Sequence, residues 1–118
     1  MRGMKKKPFK RPPSEFERAV YDAVRGVPKG CVATYRAVAE RVGCRSCRAV
    51  GQALKRNPFS PAVPCHRIIA SDFSIGGFMG CADGRAVARK AGMLAREGIV
   101  FVRGRLADRR RLHVFTDE

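Results

Sequence analysis

Residues Cys31–Arg56, CVATYRAVAERVGCRSCRAVGQALKR, carry two short helical patterns separated by Gly43. Thr34 and Ser46 are each placed to cap a short helix with a side-chain oxygen. After Thr34, residues Tyr35, Val38, Ala39 and Val42 recur at helical spacing and face inward. Gly43 tolerates the left-handed backbone that ends such a helix. After Ser46, residues Cys47, Val50, Gly51 and Leu54 make a second inner face, which leaves Arg48, Gln52 and Lys55 together outside. Two short helices around a tight turn, the second basic and rich in small residues, read as a helix-turn-helix. A plain helical hairpin with a solvated charged face fits the spacing equally well. Only the charge of the whole chain tips the balance.

That charge is large. The 118 residues carry 25 Lys and Arg against 10 Asp and Glu, a formal net charge of +15. The first 13 residues, MRGMKKKPFKRPP, hold six bases and no acid, so taking them from +15 leaves +9 on the rest. A surplus spread over so small a body points to a polyanion, nucleic acid first. One domain is expected over 14–118, preceded by a flexible basic arm over 1–13. No apolar run is long enough to span a membrane, and no apolar segment follows the basic start as a secretory signal would require. An intracellular protein is expected, in the cytoplasm, or the nucleus if eukaryotic. The five cysteines are an odd number, which argues against a disulfide framework. Cys44 and Cys47 have C-x-x-C spacing without a second such pair, so packing is favoured there over zinc.

Outward from the helix-turn-helix, Ser14 and Glu17 make a capping box for a first helix, with Phe16, Ala19, Val20, Ala23 and Val24 as its apolar stripe. Pro28 and Gly30 punctuate its end. The run HRIIA reads as a short strand. Gly84 to Glu97 reads as a last amphipathic helix, with Val87, Ala91 and Leu94 inward and Gly98 as its stop. IVFV and LHVF are expected to pair as a small terminal hairpin with Gly104 near its turn. The fold class is therefore α+β, mainly helical, and winged-helix-like.

The segment NPFSPAVPCHRII, Asn57–Ile69, carries the chemistry. Pro58, Pro61 and Pro64 forbid a helix and stiffen the chain ahead of a Cys-His pair. A metal ligand set, a nucleophile with its base, and simple core packing are all open from these residues alone. A nucleophilic thiol needs a base or positive charge beside it, and His66 and Arg67 follow Cys65 directly. Pro64 would fix the position of the attacking atom.

VPCHRII, preceded by RAVGQALKRNP and followed by GGF and KAGMLAREG, closely resembles the O6-alkylguanine-DNA alkyltransferases, also called methylated-DNA–protein-cysteine methyltransferases. The resemblance covers about residues 14 to 100. It implies a protein that flips a damaged guanine out of double-stranded DNA and moves the alkyl group from O6 to Cys65, once per molecule. It also implies that His66 takes the thiol proton through a water, supported by Glu97. Asn57 matches a hinge between the helix-turn-helix and the cysteine loop. Tyr35 matches a tyrosine that protonates the leaving guanine and helps rotate the phosphate. Arg48 matches the arginine that fills the gap left by the flipped base. Ala49 and Gly51 are small where the second helix enters the minor groove. Gln52, Lys55 and Arg67 are counted with them as DNA contacts.

Pro61, Phe78 and Met79 line up with the wall of the guanine pocket, and the backbone N–H of Met79 is expected to bond O6. The carbonyls of Cys65 and Ile68 are expected to accept from the guanine amine. Lys90 matches a lysine read as structural. In relatives where zinc is recognised, it belongs to a part ahead of the first helix, so neither metal nor cofactor is expected. The loop from Gly80 to Lys90 is longer than in many members. A monomer acting on DNA that contains O6-alkylguanine, without membrane association, is expected. The alternative within the resemblance is an alkyltransferase-like protein that flags lesions without accepting the group. Such relatives usually replace the acceptor cysteine, which this chain keeps. A helix-turn-helix regulator would need no Cys-His pair among prolines and would normally read the major groove as a dimer.

Overall fold

The computed structural model describes residues 12–59, 62–78 and 83–116. The expected basic arm lies almost entirely outside this range, as do Pro61 and Met79. Helix α1 spans Glu15–Arg25. The Glu17 amide donates to Ser14 Oγ at 3.1 Å, and the Ser14 amide donates to Glu17 Oε1 at 2.9 Å. This capping box satisfies two donors that a helix start leaves open. The buried stripe is Glu17, Val20, Tyr21 and Val24, whereas Ala19, expected inside, is exposed. The stripe is rotated because Tyr21 reaches across to α3, where its hydroxyl donates to the Ala53 carbonyl at 2.6 Å.

The helix-turn-helix forms as read. Helix α2, Tyr35–Arg41, is capped by Thr34, whose hydroxyl accepts from the Ala37 amide at 3.0 Å. Helix α3, Cys47–Lys55, is capped in the same way by Ser46 from the Ala49 amide. Gly43 between them has φ +74°, the left-handed conformation that costs glycine least. Val38, Ala39, Val50, Ala53 and Leu54 bury the facing sides. Together with Val20, Tyr21 and Val24 they belong to the larger apolar cluster of the described residues, which also takes in Cys65 and Phe78.

Strand β1, Ala33–Thr34, pairs in parallel with β2, Ile68–Ile69, in the register Ala33 to Ile68 and Thr34 to Ile69. This two-residue ladder ties the start of α2 to the residues just after the Cys-His pair. It is one of the long-range contacts that build the site. Helix α4, Gly84–Arg96, is capped by Asp83 and stopped by Gly98 at φ +86°. Leu94 lies inward as expected, but Ala91 is exposed and the fully buried neighbour is Lys90.

A terminal hairpin is present with a different second strand from the one expected. Strand β3, Phe101–Val102, pairs antiparallel with β4, Arg105–Leu106, across Arg103-Gly104. The LHVF segment instead runs beside β1, with a parallel bridge from Leu112 to Val32 and a 2.8 Å bond from the His113 amide to the Val32 carbonyl. The two-residue Arg-Gly loop is the shortest closure available to β3, so it sets the pairing. Val32, Ile69, Leu94, Ile99 and Leu106 form the second apolar cluster beneath this hairpin.

Candidate active site

Pro64 adopts φ −81°, ψ 70°, and the Cys65 amide donates back to the Val63 carbonyl at 2.8 Å. This is an inverse γ-turn, suited to the φ that a proline ring imposes. It delivers Cys65 as the first residue of a 3₁₀ turn, Cys65–Arg67, from which β2 runs directly. Asn57 closes the preceding loop. Its Nδ2 donates to the Val63 carbonyl at 3.1 Å, and its Oδ1 accepts from the Phe59 amide at 2.8 Å. Its own amide still bonds the Leu54 carbonyl of α3, so one side chain joins the end of the second helix to the cysteine loop.

Cys65 is 7% exposed. Burial pushes its thiol above the ordinary range; a hydrogen bond from the Asn57 side chain, the charge of Lys90 and its own backbone N–H oppose that rise. Tyr35, at the start of α2, feels the same cysteine: its phenol is pushed up by burial first and then by the nearby Cys65 charge. The β1–β2 ladder makes this approach possible, since Thr34 and Ile69 pair one residue away from Tyr35 and three from His66.

His66 is buried, with Nε2 3.0 Å from Glu97 Oε2. Glu97 also accepts from Arg67, Nε at 2.9 Å and Nη2 at 2.8 Å. The Arg67 guanidinium, followed by the bond from His66, holds the carboxyl down at about 2 against the opposing effect of burial. Arg67 spends Nη1 on the Val27 carbonyl at 3.0 Å. The Arg67 guanidinium is thus engaged within the chain, where its planar fork fixes the carboxylate that faces His66.

Lys90 is fully buried and its Nζ donates to the carbonyls of Ile68, Ile75 and Gly77 at 2.6, 2.6 and 2.9 Å. Burial pushes the ammonium down to about 8, and the Cys65 charge acts against that shift. Lys90, expected to be structural, also sets its charge on Cys65, which the sequence does not disclose. The available signal was a lysine on the apolar stripe between Val87 and Leu94. The carbonyls expected to receive the guanine amine each accept one bond within the chain, Ile68 from Lys90 and Cys65 from the Ile68 amide, and a carbonyl oxygen has a second lone pair. Phe78 is 6% exposed, with the Arg89 guanidinium 5.7 Å from its ring centroid.

On α3, Arg48, Gln52 and Lys55 are exposed, and Ala49 and Gly51 are half-buried. A Cβ built on Gly51 would meet nothing within 4 Å. Packing within the chain does not demand glycine there. Cys31, Cys44, Cys47 and Cys65 are thiols outside any disulfide, and among the described residues no three His, Cys, Asp or Glu side chains are placed to hold a metal. No described helix is long and apolar enough to cross a membrane.

Residues 15–99 match the family model of the 6-O-methylguanine DNA methyltransferase DNA-binding domain. A methylated-DNA–protein-cysteine methyltransferase of Methanothermobacter thermautotrophicus is 42% identical over 86 residues, which are 73% of this chain and 46% of that protein. The O6-methylguanine-DNA methyltransferase of Pyrococcus kodakaraensis superimposes with a TM-score of 0.62 at 38% identity, over 73% of this chain and 47% of that one. Schizosaccharomyces pombe Atl1, in complex with damaged DNA containing O6-carboxymethylguanine, superimposes with a TM-score of 0.67 at 31% identity, over 86% of this chain and 95% of that one. The chain spans about half the length of the methyltransferases it matches. With the family model covering α1 through the end of α4, the chain belongs to the family of the 6-O-methylguanine DNA methyltransferase DNA-binding domain.

Proposed function

We propose that this chain repairs O6-alkylguanine in double-stranded DNA by accepting the alkyl group irreversibly on Cys65. The observation that carries the reading is the surroundings of that thiol: a buried cysteine bonded by Asn57, facing Lys90 and Tyr35, next to a His66–Glu97 pair. A thiol pushed up by burial is a poor nucleophile until its proton is taken. His66, oriented by Glu97, takes that proton through a water, while the Asn57 amide and the Lys90 charge stabilise the thiolate as it forms. Sulfur then attacks the alkyl carbon, the S–C bond forms as the C–O6 bond breaks, and the electron pair leaves with guanine. Tyr35, kept protonated by burial, gives its proton to the departing base. The product thioether offers water no reactive carbon, so each molecule acts once.

A guanine inside the duplex cannot reach a buried thiol, so the base is flipped out. Arg48, on the exposed face of α3, fills the gap, and Gly51 and Ala49 allow that helix into the minor groove. Lys55 and Gln52 hold the flanking backbone. The chain works as a monomer inside the cell, without metal or cofactor.

The test is stoichiometric. With duplex containing O6-methylguanine in excess, one guanine should be restored per protein molecule and the reaction should then stop. Cys65→Ser should restore none while still binding the lesion. Continued turnover, or tight binding with no guanine restored by the parent chain, would reject the reading; the latter result would favour a non-transferring lesion-flagging protein.

A further inference from the structure

The family match ends at residue 99, and the β3–β4 hairpin lies just beyond it. Residues 103–111, RGRLADRRR, hold five arginines against the single acid Asp108. Some of these are tied to the body. Arg109 lies over the Phe73 ring at 4.0 Å, Arg111 donates to the Gly30 carbonyl, and Arg110 pairs with Asp108. Arg103 lies in the hairpin tip and Arg105 directly after it, both exposed, with Asp72 near enough to Arg105 to feel its charge.

The tip itself is unusual. Arg103 has φ 53° and Gly104 has φ 82°, the two successive left-handed residues that a type I′ turn needs. Asn-Gly is the pair that adopts this turn with least strain. An arginine there holds a conformation that side chains rarely adopt. Folding does not call for it, since the side chain is exposed and asparagine would make the same turn more easily. A strained backbone that presents a long cation at a loop tip is the mark of a contact made outside the chain. The neighbouring Val102 is 55% exposed, so the tip joins an apolar edge to two guanidinium groups.

We infer that the β3–β4 hairpin is a second duplex-DNA contact, separate from α3, with Arg103 and Arg105 on backbone phosphates. The inference rests on the reading that this chain acts on duplex DNA, which supplies the phosphate partner. Guanidinium forks match phosphate oxygens in pairs, and two contacts of this kind add affinity without reading sequence.

The test uses Arg103→Asn, alone and with Arg105→Gln, in the full chain. Arg103→Asn removes the cation and also relieves the turn, so its melting temperature should rise while its affinity for undamaged duplex falls. The slope of log affinity against log salt should flatten by about one for the single variant and about two for the pair, as released counterions are lost. Reaction with free O6-alkylguanine base should be unchanged. If the parent chain binds duplex and the variants bind it as tightly with the same salt slope, the hairpin inference fails and the repair reading stands. If the parent chain does not bind duplex at all, both fail.

Discussion

His66 Nε2 lies 3.0 Å from Glu97 Oε2, and the carboxylate that holds the imidazole is itself held by the Arg67 fork. The arrangement fixes where the ring points and gives it a permanent negative neighbour. Replacing Glu97 with Gln leaves Arg67 without its counter-charge and should cost about 3 kcal/mol of stability at neutral pH. Glu97 sits at about 2 in the folded chain, below the 4.5 of a free carboxyl. A depressed carboxyl stabilises fully above its unfolded value and loses that contribution as pH falls. The stability gap between parent and Glu97→Gln should therefore be constant above about pH 4.5 and shrink between there and about pH 2. Urea unfolding across that range reads it directly.

Lys90 should act on reactivity as well as stability. Lys90→Met leaves the carbonyls of Ile68, Ile75 and Gly77 without their shared donor, a loss of about 3 kcal/mol or more. It also removes a charge that lowers the Cys65 thiol. Labelling of Cys65 by iodoacetamide in the folded variant should move to higher pH than in the parent. An unshifted profile would restrict Lys90 to a packing role.

These two sites mark the division between what the chain's pattern discloses and what it conceals. Local signals were readable: the Ser14–Glu17 box, the Thr34 and Ser46 caps and the Gly43 turn each concern residues within four positions. Choices settled by distant partners were not. Tyr21 is buried because Ala53 offers a carbonyl 32 residues away. Lys90 displaces Ala91 from the core side because three carbonyls of the 68–77 segment converge on it. LHVF leaves the hairpin because Val32 has an open edge. For the site, the motif resemblance names Cys65, His66, Asn57, Tyr35 and Glu97, whereas the ion pair of Arg67 has no local signal. No sequence rule shows that its fork would meet Glu97 at a separation of 30 residues.

Gly51 separates folding from binding. A methyl group there has open space, and alanine is the better helix former by up to about 1 kcal/mol. Gly51→Ala should raise the melting temperature. If α3 enters the minor groove, it should also weaken duplex binding. A variant that gains stability and keeps full affinity would move the DNA contact off this part of the helix.

Arg48 offers a comparison between substrates. Its exposed side chain has no part in the thiol's surroundings, so Arg48→Ala should leave reaction with free O6-alkylguanine base near the parent rate. Repair in duplex DNA should fall by about tenfold or more if the residue stands in for the flipped base, since unstacking costs a few kcal/mol. Equal losses on both substrates would refute that role.

On the proposed function, Cys65 is consumed by the reaction. The most direct measurement is the peptide mass of the protein after reaction with duplex containing O6-methylguanine. One methyl group is expected, on the peptide bearing Cys65 and absent from those bearing Cys31, Cys44, Cys47 and Cys81. Tight lesion binding with an unmodified Cys65 peptide, or a methyl group on another cysteine, would contradict it.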